Sequence, residues 1–323
     1  GLGANAVDSI TTGDYNVGVG DNAGTAITTA IKNTAIGHGA LTATTTGDLN
    51  TALGYNALAS NVQGDRSVAI GYQALVTQNP SGNADMYNTA VGFDAMNATT
   101  TGTNNTGVGA NSLKANTTAS NNVAVGKSSL YTNTTGDQNV AIGFEALKFN
   151  TTASNNTAIG KDALKANTTG GQNTATGKDS LLANTTGASN TATGYYALGG
   201  NTTGDYNTGV GQRALYTNTT GFENTAIGGL ALYANTTGDK NVAVGQQALY
   251  TNTTADNNTA VGYDALRLNT TGADNVAVGK DSLKANTTGV WNVAMGLESL
   301  DANTTGNSNT GIGTSSLSAN TTG

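Results

Sequence analysis

The sequence predicts an all-β fold, a parallel β-solenoid with 17-residue coils, on three observations. Glycine recurs at one period along the chain: Gly20, Gly37, Gly54 and Gly71, then Gly92 and every seventeenth residue to Gly313. Small residues dominate, with 45 Gly, 4 Phe, 1 Trp and only 10% charged residues among 323, a composition foreign to compact helical domains. Stretches such as "NVAVG" at 241–245 alternate along the chain, as a strand does. A unit this short and this rich in glycine excludes the helical repeats of about 30 to 45 residues.

Numbered from its first Asn, the unit reads Asn, Thr/Val, Ala/Gly, Val/Ile, Gly, two variable residues, Ala/Ser, Leu, a variable residue, Ala/Thr, Asn-Thr-Thr-Gly and two variable residues. Eighteen complete copies fit this register. Two strand segments per coil are expected, "NVAVG" and the following "QQALYT" at 246–251. The second, fourth and ninth columns carry the larger apolar residues and are read as the core: Val242, Val244 and Leu249 in one coil, with Ile227, Leu232, Val261 and Leu266 beside them. Burying a Leu or Val contributes about 1.5–3 kcal/mol, but one coil has too few to hold itself, so stability must come from stacking.

The third column holds nothing larger than Ala. Because period-two alternation places it opposite the second and fourth columns, something must press close against that face. A second chain around a shared axis is one explanation, which makes Ala35, Ala52, Ala226, Ala243, Ala260 and Ala277 an oligomer interface and predicts a trimer or other cyclic oligomer. Tight packing within one chain is the alternative.

Asn fills the first column in 17 of 18 copies, Ser67 being the exception. Strands stacked about 4.8 Å apart place these amides one above another, where they can hydrogen-bond as a ladder and escape the penalty of burying an unpaired amide. Asn207, Asn224 and Asn241 belong to it. A second Asn column opens "NTTG" from Asn116 to Asn320 and includes Asn235 and Asn252; with Gly211, Gly228 and Gly245 it is read as turn and ladder, Asn and Gly being tolerant of left-handed backbone. Between Gly71 and Gly92 the interval is 21, so four extra residues sit in "VTQNPSGNADMYN" at 76–88, which holds the only proline, Pro80. A bulged loop is expected there, within a single continuous array over 1–323.

These strings resemble a known family. "NVAVG", "SVAIG" at 67–71 and "NTAIG" at 33–37 look like the head motif of the YadA-like trimeric autotransporter adhesins, and "NTAIGGLALYANTTG" at 224–238 resembles the repeat arrays of bacteriophage tail fibres. The likeness covers nearly the whole chain. It implies a left-handed parallel β-roll assembled as a homotrimer, extracellular, on a virion tail fibre or a bacterial surface, serving as a fibre shaft or adhesin head that meets a glycan or protein receptor. No coiled-coil stalk, membrane anchor or chaperone domain accompanies it in this sequence. A self-assembling extracellular filament is the second reading, and an ice-binding solenoid, suggested by the adjacent Thr columns of "NTTG", the third.

Composition narrows the rest. A net charge of −7 argues against nucleic acid, which needs clustered Lys and Arg. There is no cysteine, so neither disulfides nor thiolate metal sites arise. No apolar run approaches the length of a membrane span. Gly1 is not a natural start residue, so a piece of a longer protein is expected. The sole histidine, His38, lacks any suggested partner, and neither an enzyme nor a cofactor is expected. "GVGQRA" at 209–214 and "GVGDNA" at 18–23 spell a dinucleotide fingerprint without the helix it requires. Asp137, Asp205 and Asp239 follow "TTG" and are read as turn residues, not calcium ligands. "NTT" recurs 13 times as a formal N-glycosylation acceptor. If this segment binds anything, its variable columns must do so: Tyr131, Tyr216, Tyr233 and Tyr250 share the tenth column with lysines, and Trp291 stands elsewhere.

Overall fold

The computed structural model describes residues 1–323. It contains strands, turns and no helix, and the chain divides into two compact units, Gly1–Lys161 and Asp162–Gly323. Each unit is a parallel β-solenoid with nine three-residue strands, from Val17–Val19 to Thr157–Ile159 in the first and from Thr174–Thr176 to Thr310–Ile312 in the second. Each of these three-residue strands occupies columns two to four. Consecutive strands pair in parallel with like above like: Val242 with Thr259, Ala243 with Ala260, Val244 with Val261.

The expected second strand is absent. Residues 246–251 form turns in which the seventh and ninth columns take left-handed backbone, with φ of 57° at Gln247 and 52° at Leu249. Alternating conformations send successive N–H groups in opposite directions along the solenoid. Gln247 donates back to Gly229 O (3.1 Å), and Leu249 donates onward to Ala265 O (3.0 Å). A non-glycine residue in this conformation costs about 1–2 kcal/mol, which burial of the Leu249 side chain offsets. Nothing in the spelling "QQALYT" announces it, since none of these residues favours that region.

The strand faces are the reverse of the expectation. The third column points inward: Ala35, Ala52, Ala226, Ala243, Ala260 and Ala277 are all fully buried within the single chain. They therefore form no interface with another chain. Leu232, Leu249 and Leu266 are fully buried as expected, but Val242, Val244 and Val261 are only half-buried and Ile227 is 41% exposed, so these four do not belong to the core. The limit on size in the third column comes from the Leu column of the same chain. A Cβ placed on Gly209 would sit 3.2 Å from Leu198 Cγ, and one on Gly311 the same distance from Leu300 Cγ. Leucine fills the thin interior from one wall, leaving room only for Ala or Gly on the other.

Two amide ladders complete that interior. Asn241 donates its Nδ2 to Ala255 O (2.8 Å) and Asn224 Oδ1 (3.2 Å), while its own Oδ1 accepts the Asn258 backbone N–H (3.0 Å). Asn207 and Asn224 repeat the pattern. In the twelfth column, Asn235 Nδ2 reaches Asn218 Oδ1 (2.9 Å) and Gly238 O (2.8 Å), and Asn252 does likewise. These asparagines are fully buried and do not take left-handed backbone, so they serve as ladder and not as left-handed turn residues. Gly211, Gly228 and Gly245 have φ of 130°, 129° and 136°.

The insertion lies where expected. The chain bulges after Gln78 and returns to register with Val68 opposite Thr89; a short second pairing, Gly64 with Ala84 and Asp65 with Asp85, closes the enlarged coil. The same coil carries Ser67, which is too short to continue the first ladder. Gln78, one methylene longer than the usual Asn, reaches across instead: its Oε1 accepts from Asn88 Nδ2 (2.9 Å), and its Nε2 donates to Ser67 Oγ (3.0 Å) and Asn61 Oδ1 (3.3 Å). Gln78→Asn is expected to cost about 1–3 kcal/mol by stranding buried polar groups. Adding Ser67→Asn should recover much of that loss, and a double-mutant cycle from chemical denaturation measures the coupling.

Candidate interaction surfaces

The outward side of each strand presents two parallel files. The second column contributes Thr or Val and the fourth an aliphatic residue, interrupted only by Thr176 and Thr193. Neither file contains a charged side chain. Several of its members are well exposed, among them Leu53 at 45%, Ile227 at 41% and Met295 at 42%. In each unit nine rungs about 4.8 Å apart and a strip about 10 Å wide give a footprint on the order of 400 Å². Isolated exposed apolar residues are ordinary, and a continuous uncharged strip of this size matches the largest patch of a typical monomer, which is often functional.

Aromatic ladders form a second kind of surface. Tyr216, Tyr233 and Tyr250 stack with ring centroids 5.5 and 5.2 Å apart, half-buried. Tyr131 stands outside this stack, and Trp291 is 63% exposed. A ladder not singled out in the sequence runs through the sixth column of the first unit, where His38, Tyr55, Tyr72 and Phe93 stack at 5.2, 5.2 and 5.1 Å. The signal for it was available, since all four share one column across the insertion. His38 is thereby the end member of an aromatic stack.

The lysines of the tenth column are not free cations. Lys148 pairs with Glu145 (2.7 Å), Lys165 with Asp162 (3.2 Å), Lys284 with Asp281 (2.8 Å), and Lys114 reaches back one coil to Asp94 (2.9 Å). The hydrogen bond to Asp94 holds the Lys114 ammonium above its ordinary pKa despite partial burial. The stripe is therefore closer to neutral than its lysine content implies, and its exposed ion pairs contribute little to stability.

The remaining sequence candidates are absorbed by the coil itself. Asp137, Asp205 and Asp239 accept backbone N–H groups of the preceding coil, from Ser120 (2.7 Å), Ala188 (2.7 Å) and Phe222 (2.9 Å). Burial raises the Asp239 carboxyl above the ordinary range, against the pull of the Phe222 N–H, and neighbouring Asp256 adds to the rise. From Asn116 to Asn303 the sequon asparagines are fully buried, and Asn218 shows why: its Nδ2, the atom that would carry a glycan, donates to Asn201 Oδ1 and Gly221 O. The thirteenth-column hydroxyls donate to the next coil, as Thr202 does to Thr219 O (2.9 Å), so they do not form a free two-row array. Gly209 and Gly211 of "GVGQRA" flank a strand end followed by turns. No group of three His, Asp or Glu side chains converges on a point, and no helix is long and apolar enough to cross a membrane. Compared with known proteins, the sequence matches no family model and no curated protein.

Proposed function

We propose that this chain is a structural segment of an extracellular fibre or adhesin, a stiff shaft or head that assembles with copies of itself and projects or mediates attachment to a host or surface. The carrying observation is the uncharged double file of the second and fourth columns, which lies outside the single chain's own core. A stable interface takes roughly 800 Å² from each partner, and each unit alone supplies about half of that. A second copy of the same face is the fitting occupant because the strip is uncharged and self-similar, so it is complementary to itself about a rotation axis. The number three, like the virion or cell-surface setting and the glycan or protein receptor, rests on the resemblance to the trimeric heads and tail-fibre arrays. The interface is thus moved from the third column to the second and fourth.

Light scattering on the purified chain tests this reading. The wild type is expected at three times the 32.1 kDa chain mass. A variant carrying Ile227→Lys and Val244→Lys is expected at the mass of one chain with an unchanged circular-dichroism spectrum, because both side chains point away from the core. A monomeric wild type would overturn the proposal.

A further inference from the structure

A face built from one repeated unit has a weakness that its composition does not remedy. When every rung presents the same Thr/Val and aliphatic pair, two chains displaced by one rung lose only the contacts at the ends. Register is then poorly specified, as it is wherever strand faces lack distinguishing side chains.

The outward files are not uniform, however. In the second unit the fourth column changes from aliphatic to hydroxyl at two consecutive rungs, Thr176 and Thr193, and the second column carries Thr174 and Thr191 at the same rungs. The strands pair Thr174 with Thr191 and Thr176 with Thr193, so four hydroxyls form a two-by-two block. Their side chains face outward and make no hydrogen bond within the chain; Thr191 and Thr193 are exposed. On either side the fourth column returns to aliphatic side chains, Ile159 in the sequence before and Val210 after. The four-residue insertion does not supply this distinction, since it lies between the twelfth and first columns, away from this face.

We infer that Thr176 and Thr193 form a register-setting polar layer between copies of the chain; the second column continues as Thr208 and Thr225 and does not mark these rungs. This inference rests on the self-association proposed above and adds which residues align the copies. In the aligned assembly each hydroxyl meets hydroxyls of the same rungs and can be both donor and acceptor. Displacement by one rung sets Thr193 against Val210, leaving its hydroxyl covered by methyl groups without a partner, which is unfavourable. A buried polar position that fixes alignment in an otherwise apolar seam is a known device of helical assemblies. Here it falls on a strand face.

The chain has no native cysteine, so crosslinking can read the register directly. Two tagged forms are mixed, one carrying Ile227→Cys and the other Val244→Cys, which occupy the fourth column one rung apart. Disulfides between identical positions report aligned copies; a 227-to-244 disulfide reports a one-rung slip. In the wild-type background aligned crosslinks are expected to dominate. Introducing Thr176→Val and Thr193→Val should raise the slipped fraction by about tenfold or more, as expected for loss of hydroxyl pairing, while Thr176→Ser and Thr193→Ser should keep it low. An unchanged slipped fraction in the valine variant, with aligned crosslinks intact, overturns the register assignment and leaves self-association standing. Absence of aligned crosslinks together with a monomeric mass overturns both.

Discussion

Replacing Gly228 by alanine is expected to destabilise the second unit by about 3–5 kcal/mol, a large effect for a single methyl group. Two causes combine. Gly228 has a φ of 129°, a region that L-residues rarely adopt. A Cβ there would also lie 2.7 Å from both the carbonyl carbon and the oxygen of Gly245, atoms of the next coil's backbone that cannot turn aside as a side chain can. The same geometry recurs at Gly211, whose Cβ would meet Gly228, so relief by shifting one coil transfers the overlap to its neighbour. Chemical denaturation followed by circular dichroism measures the loss. Gly229, with no atom within 4 Å of an added Cβ, is the control: Gly229→Ala should change stability by less than about 0.5 kcal/mol, as surface substitutions do.

Replacing Asn241 by alanine is the second large effect, expected at about 2–4 kcal/mol. Removal of the amide takes one of two donors from Ala255 O, which keeps Asn252 Nδ2, leaves the Asn258 N–H without its acceptor, and also ends the contact from Asn258 Nδ2 to Asn241 Oδ1 at 3.3 Å. All of this lies in an interior that water does not reach. Because each coil is held chiefly by its neighbours, the lesion should appear as earlier hydrogen exchange at the strands Thr225–Ile227 and Thr259–Val261 than at distant coils. Asn241→Asp should be at least as harmful near neutral pH, since a buried carboxylate keeps the acceptor but loses both donors and adds an unpaired charge. A mild, delocalised effect of Asn241→Ala would mean that the amide column is not a hydrogen-bonded ladder.

The period, the parallel stacking and the two asparagine columns were legible in the sequence because they depend on identity alone: a residue that must sit on its own copy repeats at the coil length. The Leu column was legible for the same reason. Which way the strand faces was not. Alternation at Val242, Ala243 and Val244 says that the valines oppose the alanine, and the larger side chains were assigned inward by size. Volume decides otherwise, because Leu249 already fills the narrow coil and only a methyl group fits against it. The observation that something crowds the third column was sound; the crowding comes from leucines of the same chain. The missed left-handed positions have a different origin. Gln247 and Leu249 are held there by hydrogen bonds to Gly229 and Ala265, and contacts one coil away leave no mark on local residue preference. Likewise the pairing of Lys148 with Glu145 and Lys284 with Asp281 makes a striped surface less cationic than its tenth column suggests.

Vertical registration at 17 residues is the claim on which the core, the ladders and the outward face all depend, and spin-label distances within the second unit test it most directly. Lys178, Gln246, Lys280 and Thr314 share the sixth column, and each can be replaced by cysteine without native thiols to interfere. With one label at position 178 and labelled chains diluted into unlabelled ones, distances to 246, 280 and 314 are expected to rise linearly, by about 10 Å for each 34 residues at the strand spacing of about 4.8 Å. Distances that fail to grow in equal steps would contradict the stacked-coil account.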